Sequence, residues 1–291
     1  MPPFRIAHLS DPHLPSPPVT LREIRLKRLV SGLAWRGKRH HHRPEVLRAI
    51  VADIAAAAPD HTAVTGDLTN FSTQAEYAAA AGWLSSLGAP DAVTVSPGNH
   101  DALVGSADLA RFGPWRSWLG DDGQTFPFVR RRGPIAFLNL SSAVPTAVHS
   151  AQGRLGGAQI ARLAHALKAA AEAGLCRVVL IHHPVADGVV STRKALIDRA
   201  ELGQVLAQCG AELVLHGHAH RTALSAISGT AGPIPTLGAP SASMAPGAAE
   251  AARWHLIEVT RRANEFQIDV TVRGVGPDGG VAEIGRYRLA A

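Results

Sequence analysis

Cysteine, aromatic residues and long apolar runs are all scarce in this 291-residue chain. Cys176 and Cys209, its two cysteines, have no spacing typical of a disulfide framework or a cysteine-type zinc site. No apolar stretch reaches the roughly 18 residues that a transmembrane helix requires, and the start of the chain leads into a strand pattern without room for a cleavable signal peptide. We therefore expect a single globular domain over residues 1–291 in the cytoplasm.

Acidic residues are nearly missing from one segment. Residues 20–43 contain eight Lys or Arg and one acid, Glu23, so their net charge is +7, whereas the whole chain carries +6. The remainder is close to neutral, and no basic groove interleaved with aromatic residues is evident, so a nucleic acid is not an expected partner. His40-His41-His42 at the end of the segment is expected to add charge as the pH falls.

The same segment has an apolar pattern of helical period. Leu26, Leu29, Val30 and Leu33 recur at i, i+3, i+4 and i+7 among basic residues. This pattern predicts a basic helical insertion at about 14–43. Its apolar face either packs on the rest of the protein, close to Asp11 and His13, or lies peripherally on the anionic inner surface of the membrane.

Five short polar motifs follow five apolar runs that have the composition of buried strands. The motifs are Asp11-Pro-His13, Gly66-Asp67-Leu-Thr-Asn70, Gly98-Asn99-His100-Asp101, His182-His183-Pro184 and Gly217-His218-Ala-His220, and the runs are Phe4–Leu9, Thr62–Thr65, Ala92–Val95, Arg177–Ile181 and Glu212–Leu215. Open α/β sheets gather their ligands beyond the carboxyl ends of the strands. Imidazole, carboxylate and amide donors without a thiolate suit divalent Mn, Fe, Co or Zn, so the motifs predict a catalytic metal site.

This motif set resembles that of the calcineurin-like metallophosphoesterase superfamily, and in particular its bacterial class III cyclic-nucleotide and glycerophosphodiester phosphodiesterases. The resemblance covers about residues 4–260. It implies an α/β fold, a four-layer αββα sandwich with two mixed β-sheets flanked by helices. The sequence agrees: strands and helices alternate from Pro44 onwards, and a β-rich C-terminal part begins at about residue 221.

The resemblance also implies a site for two divalent ions, Mn, Fe or Zn. One ion would be held by Asp11, His13 and His220 and the other by Asn99, His182 and His218, with Asp67 bridging both. His100 would protonate the leaving alkoxide, and the side chain of Asn70 would orient His100. Of the two adjacent histidines His183 occupies the variable position, and it either contacts substrate in the pocket or is solvated.

Three functions are consistent with these residues. The first is a phosphodiesterase that hydrolyses a P–O bond of a small diester by attack of a metal-bridging hydroxide on phosphorus. The second is a membrane-associated hydrolase of a lipid-linked phosphate or pyrophosphate, similar to the superfamily's lipid A pathway members. The basic insertion is the feature that suggests this function. The third is a non-catalytic metal-binding scaffold. Fold and metal ligands alone do not choose a substrate.

Overall fold

Two six-stranded mixed sheets organise the part of the chain that the computed structural model describes, namely residues 2–105, 109–121, 124–263 and 265–289. The first sheet has the order β12-β11-β10-β1-β2-β3. Its strands are β1 (Phe4–Leu9), β2 (His61–Val64), β3 (Val93–Val95), β10 (Arg253–Arg262), β11 (Glu265–Val275) and β12 (Val281–Leu289). Strands β1, β2 and β3 are parallel, and β10 pairs with β1 in the antiparallel direction, with Ala7 opposite Leu256.

The second sheet has the order β4-β5-β6-β7-β9-β8. It contains β4 (Phe128–Arg132), β5 (Ile135–Asn139), β6 (Cys176–Leu180), β7 (Leu213–His216), β8 (Ala223–Ile227) and β9 (Ile234–Gly238). The four central strands are parallel, and antiparallel β4 and β8 form the two edges. Each sheet thus has its parallel strands ending on one side.

The α-helices are α1 (Leu26–Lys38), α2 (Pro44–Ala57), α3 (Gln74–Leu87), α4 (Arg116–Leu119), α5 (Gly157–Glu172) and α6 (Arg199–Cys209). Helices other than α1 cover the outer faces of the sheets, and α1 is attached to loops at Thr146 and at Phe71 and Ser72. Proline at the first position of α2 lacks the N–H that a helix start leaves unpaired. Thr73 and Glu76 close the start of α3 with a capping box. No helix of the described residues combines the length and the apolarity needed to cross a bilayer.

Side-chain alternation along the strands separates three layers of core. In β5, Phe137 points into the cluster between the two sheets, while Leu138 points outward to the cluster beneath α5 and α6. Likewise Ile6 of β1 faces the inner cluster and Leu9 faces the cluster beneath α2 and α3. Both faces of each sheet are therefore buried, and the predicted αββα sandwich is confirmed.

The predicted strands before all five motifs are present, with ends that differ by at most one residue. The β-rich C-terminal part is also present, but its strands divide between the sheets. Strands β8 and β9 extend the second sheet, and β10 to β12 complete the first. This part of the chain therefore closes the sandwich.

The insertion forms α1, and its leucines are not buried in a core. Leu26, Leu29 and Leu33 are 69%, 52% and 66% exposed, and Leu29 and Leu33 line a cavity beside His13. Two basic side chains attach the helix: Lys27 Nζ donates to the Thr146 carbonyl at 2.9 Å, and Arg28 donates to carbonyls of the 71–72 loop. The basic side chains therefore hold the helix on the body of the protein, and its apolar pattern borders the cavity.

Candidate metal centre

The seven predicted ligands converge where the parallel strands of both sheets end. Each follows its strand directly: Asp11 and His13 follow β1, Asp67 follows β2, Asn99 follows β3, His182 follows β6, and His218 and His220 follow β7. Hydrogen bonds between the loops fix their relative positions. The Asp11 amide donates to the Gly66 carbonyl, the His13 amide to the Asp67 carbonyl and the Gly217 amide to the His182 carbonyl.

Asp11, His13, Asp67 and His220 form the first cluster, in which their candidate ligand atoms all lie within 4.8 Å of one another. Nε2 of His220 is 3.1 Å from Asp11 Oδ1 and 3.3 Å from His13 Nε2. All except His220 are buried. This is the residue set that the sequence predicts for one ion.

The second cluster contains Asp67, His182 and His218 within the same limit. His182 Nε2 lies 3.4 Å from Asp67 Oδ2 and 3.2 Å from Asn99 Oδ1, so Asn99 belongs here too. His218 donates Nε2–H to the Lys194 carbonyl at 2.9 Å, which leaves Nδ1 as its ligand atom. Asp67 is common to both clusters, as the bridging assignment requires.

The donor atoms fit a pair of divalent ions. Asp11 Oδ1 is buried and faces His220 Nε2 at 3.1 Å, while the other oxygen accepts the His218 amide at 3.0 Å. A buried carboxylate carries a large desolvation cost unless a cation or a charged partner faces it. Ring nitrogens that approach each other without an acceptor between them also indicate ligands of one ion. Nitrogen and oxygen donors without sulfur agree with Mn, Fe or Zn.

The backbone is strained at five of the ligands, and this conformation directs their side chains into the site. Asp11, His13, Asp67, His218 and His220 all have positive φ, between 43° and 67°. Residues other than glycine adopt this region rarely, at a cost of about 1–3 kcal/mol each, and such residues cluster at functional sites. The surrounding loops must therefore stabilise the arrangement by other contacts.

Asp101 provides many of those contacts. Its buried carboxylate accepts the amides of Asp67, Thr69 and Gly98 at 2.8 to 2.9 Å. Burial, with the nearby Asp67 charge, raises the pKa of Asp101 to about 7, against the opposing effect of those amides. Gly98 must be glycine, because a Cβ there would collide with Asp67 Oδ1. Sequence reasoning assigned no role to Asp101, although its place directly after the Asn-His pair was a usable signal.

Oxygen acceptors hold the ring nitrogens that face away from the ions. His13 Nδ1 donates to Asn70 Oδ1 at 2.9 Å, and His182 Nδ1 donates to the Thr65 carbonyl at 2.7 Å. Such partners fix the tautomer and raise the basicity of a ligating histidine. Each ring therefore presents Nε2 to the site.

Asn70 is arranged differently from the prediction. Its side chain orients the ligand His13, whereas His100 Nδ1 donates to the main-chain carbonyl of Asn70 at 2.9 Å. The amide group of Asn70 is already committed, since Nδ2 donates to the Leu14 carbonyl and to Ser16 Oγ. The predicted side-chain contact with His100 is therefore absent, and the same residue supports both groups through different atoms.

His100 lies at the edge of the first cluster. Its backbone amide donates to Asp67 Oδ1 at 2.7 Å, and its ring meets the His13 ring edge-on at 5.0 Å. With Nδ1 held by a carbonyl, Nε2 is the nitrogen left for a substrate. The placement is compatible with the predicted acid role, which stays a prediction.

His183 is buried rather than solvated. Its Nδ1 accepts from Ser142 Oγ at 2.7 Å and its Nε2 donates to the Ala151 carbonyl at 3.1 Å. Burial, together with His182, lowers the pKa of its ring to about 3. Both nitrogens are engaged within the protein, so this arrangement does not favour substrate contact, which remains untested.

Charges within the centre are strongly coupled. Burial alone would raise the pKa of Asp11, but His220 outweighs it and the pKa falls to about 2. Burial likewise opposes charge on His182, but Asp67 prevails and raises the pKa of its ring to about 9. An ion must displace a proton from such a histidine, so metal binding at this cluster releases protons and weakens as the pH falls.

The insertion brings a residue that sequence reasoning did not place here. The His42 ring stacks on Trp35 at 4.9 Å and lies 4.6 Å from the His13 ring. Burial, followed by the effect of His220, lowers the pKa of His42 to about 3. The expectation that this residue of the His40-His41-His42 run gains charge as the pH falls is therefore wrong.

Comparisons with known proteins agree with the geometry. The family model of the calcineurin-like phosphoesterases matches residues 4–222, and the chain belongs to this family. A metal-dependent phosphoesterase site is thus the class that fold and residues define together. No curated protein matches the chain.

Solved structures are similar in fold at low sequence identity. A dimetal phosphatase from Danio rerio has a TM-score of 0.58 at 12% identity, over 98% of this chain and 99% of that one. The purple acid phosphatase PPD1 of yellow lupin has a TM-score of 0.59 at 12% identity, over 99% of this chain and 54% of that one. The NAD nucleotidase NadN of Haemophilus influenzae has a TM-score of 0.51 at 12% identity, over 97% of this chain and 54% of that one.

Proposed function

We propose that the protein is a dinuclear metal-dependent phosphodiesterase. The observation that carries this proposal is the position of Asp67 Oδ2, which is 3.4 Å from His182 Nε2 and 3.9 Å from His13 Nε2. Two divalent ions bound on either side would act as Lewis acids on a phosphoryl group and lower the pKa of a shared water. Ligands on strand ends of a packed sandwich are held in place before substrate arrives.

Two protein residues, His100 and Asn70, would assist departure of the leaving group. His100 is steadied through Nδ1 by the Asn70 carbonyl at 2.9 Å. Its Nε2–H, in the protonated ring, would pass a proton to the departing alkoxide or hydrogen-bond to a phosphoryl oxygen. Asn70 Oδ1 would meanwhile hold the His13 ring in the orientation in which it binds metal. One residue would therefore position both the acid His100 and a ligand of the first cluster.

The space beside the centre has room for a diester. A cavity of about 970 Å³ adjoins the first cluster, and its lining includes His13, Asn70 and His42. A phosphodiester carries a second organic group in addition to the leaving group, and this cavity is large enough to hold it. We infer that this group occupies the cavity while the leaving group lies towards His100.

Comparing matched chromogenic substrates tests the proposal. With Mn²⁺ added, kcat/KM for bis(p-nitrophenyl) phosphate should exceed that for p-nitrophenyl phosphate by at least about tenfold. A preference for the monoester would contradict the diester assignment. Two bound ions without turnover of a panel of cyclic nucleotides, glycerophosphodiesters and these substrates would instead support the scaffold function.

One observation favours a lipid-linked substrate as a second candidate. The cavity is lined mainly by apolar groups, among them Leu29 and Leu33 of α1, Phe71, Pro15, Pro17 and Pro18. Leu26 and Leu33 are exposed on a helix whose segment has a net charge of +7. An apolar cavity opening beside exposed leucines and basic residues suits acyl chains delivered from an anionic membrane surface.

Vesicle binding separates this candidate from the small diester. The protein should sediment with phosphatidylglycerol vesicles at 0.1 M salt, and less with phosphatidylcholine vesicles or at 1 M salt. Leu26→Ser and Leu33→Ser should each weaken binding about tenfold, because burying one leucine contributes about 1.5–3 kcal/mol. Leu224→Ser is the matched control, since Leu224 is 54% exposed on β8. Binding that is absent, or equally weakened by the control, favours the small diester.

A further inference from the structure

The end of the insertion is fastened next to the metal centre. His42 lies between the short 3-10 helix Arg39–His41 and α2. Its backbone forms an isolated antiparallel bridge with Met244, and the adjacent Arg43 amide donates to the Ser243 carbonyl at 2.7 Å. The loop after β9 therefore positions this histidine, although the two segments are about 200 residues apart in sequence.

The ring of His42 is held as the ligand rings are held. Its Nδ1 lies 2.8 Å from Ser243 Oγ and 3.3 Å from Ser241 Oγ, and Ser241 Oγ donates to the Asp11 carbonyl at 2.6 Å. His13 and His182 likewise have Nδ1 on an oxygen and Nε2 towards the ions. Because Nδ1 is engaged, Nε2 of His42 is the nitrogen available to bind a metal ion.

Distance also places this ring within reach of an ion. Candidate ligand nitrogens of His13, His42 and His220 all lie within 4.8 Å of one another. Two nitrogens each about 2.1 Å from one ion lie about 3.4 Å apart in a tetrahedral arrangement. A movement of at most about 1.4 Å would therefore bring His42 into the coordination sphere that His13 and His220 share.

We propose that His42 is a further ligand of the ion held by Asp11, His13 and His220, so that this ion fastens the insertion to the catalytic body. The inference rests on the two-metal centre of the proposed function. It assigns the ion a second role, because the insertion forms one wall of the cavity beside the centre. Metal occupancy and the position of α1 are then linked, and filling that site orders the wall against which substrate binds.

Metal affinity and hydrogen exchange test the inference without recourse to activity. Apo protein is titrated with Co²⁺ and followed by visible absorption and calorimetry, and exchange of residues 26–43 is compared with and without metal. His42→Ala should weaken one of two sites by at least about tenfold, change the absorption of that site and lose the metal-induced protection. His42→Gln, which keeps the bulk of the side chain, should show the same losses if His42→Ala does not fold.

Two controls define the outcome. His41→Ala alters an exposed neighbour in the same run and should behave as the native protein. Ser243→Ala removes the Nδ1 partner and should weaken the same site several-fold. Native affinity, absorption and protection in both His42 variants would overturn the inference while leaving the two-metal proposal intact. Failure of the native protein to bind two ions would overturn both.

Discussion

Replacing Asn70 with alanine separates two roles that this residue has in the structure. The substitution removes the oxygen that accepts from His13 Nδ1 at 2.9 Å, but it keeps the carbonyl that accepts from His100 Nδ1 at 2.9 Å. Loss of a partner that orients a ligating histidine typically lowers metal affinity 10- to 100-fold. We therefore expect the ion next to His13 to bind that much more weakly, which corresponds to about 1.4–2.8 kcal/mol.

The same change should also lower the stability of the protein. Asn70 is 1% exposed, and its Nδ2 donates to the Leu14 carbonyl at 2.8 Å and to Ser16 Oγ at 2.7 Å. Leaving a buried acceptor unpaired costs about 1–3 kcal/mol. The metal-free variant should therefore unfold at a lower urea concentration, with a free energy of unfolding reduced by about 2 kcal/mol. Asn70→Asp keeps the oxygen facing His13 and should retain native metal affinity.

Activity as a function of Mn²⁺ concentration is the assay. For Asn70→Ala, the Mn²⁺ concentration giving half-maximal rate should rise 10- to 100-fold, while kcat at saturating Mn²⁺ stays within about threefold of native. A variant with native Mn²⁺ dependence and a kcat about 100-fold lower would refute this reasoning, because the side chain would then act on the acid His100.

Three further predictions concern the bridging ligand Asp67, the acid His100 and the buried histidine His61. Asp67→Ala should bind neither ion at native affinity and should lose turnover of bis(p-nitrophenyl) phosphate; retained turnover would contradict the bridging role. His100→Ala should keep both ions by elemental analysis yet lose about 10²–10⁴-fold in kcat, whereas loss of an ion would make His100 a ligand. Burial, followed by the effect of Arg130, lowers the pKa of His61 from 6.5 to about 3. Protons therefore bind the unfolded chain preferentially, and the folded state is destabilised progressively as the pH falls from 6.5 towards 3. His61→Gln should remove about 2 kcal/mol of the stability lost between pH 7 and 5 in urea titrations, and an unchanged pH dependence would show that His61 stays accessible to protons.

Local sequence patterns were sufficient to predict the alternating strands and helices and the crevice where the motifs meet, whereas the four-layer sandwich and the division of the ligands between two ions rested on the resemblance to the calcineurin-like superfamily. Each ligand motif directly follows an apolar run, and the chain direction at a strand end is enough to place it in the common crevice. The continuous apolar runs before the motifs likewise predict strands that are buried on both faces. These signals require no knowledge of distant contacts.

Other features depend on where the chain folds back. His42 reaches the centre because it pairs with a loop about 200 residues away. The leucines of α1 stay partly exposed, and two of them line the cavity, because Lys27 and Arg28 attach the helix to carbonyl acceptors on separate loops. A helical period alone does not say which face docks. Which atom of Asn70 meets His100 is equally invisible in the sequence, since side chain and main chain are both acceptors.

Anomalous diffraction from crystals grown with Mn²⁺ tests the central claim most directly. Data on either side of the Mn absorption edge should show two peaks per chain, about 3.5–4 Å apart, on opposite sides of Asp67 Oδ2. One ion should contact Asp11, His13 and His220 and the other Asn99, His182 and His218. A single peak, or two peaks that do not share Asp67, would contradict the dinuclear centre.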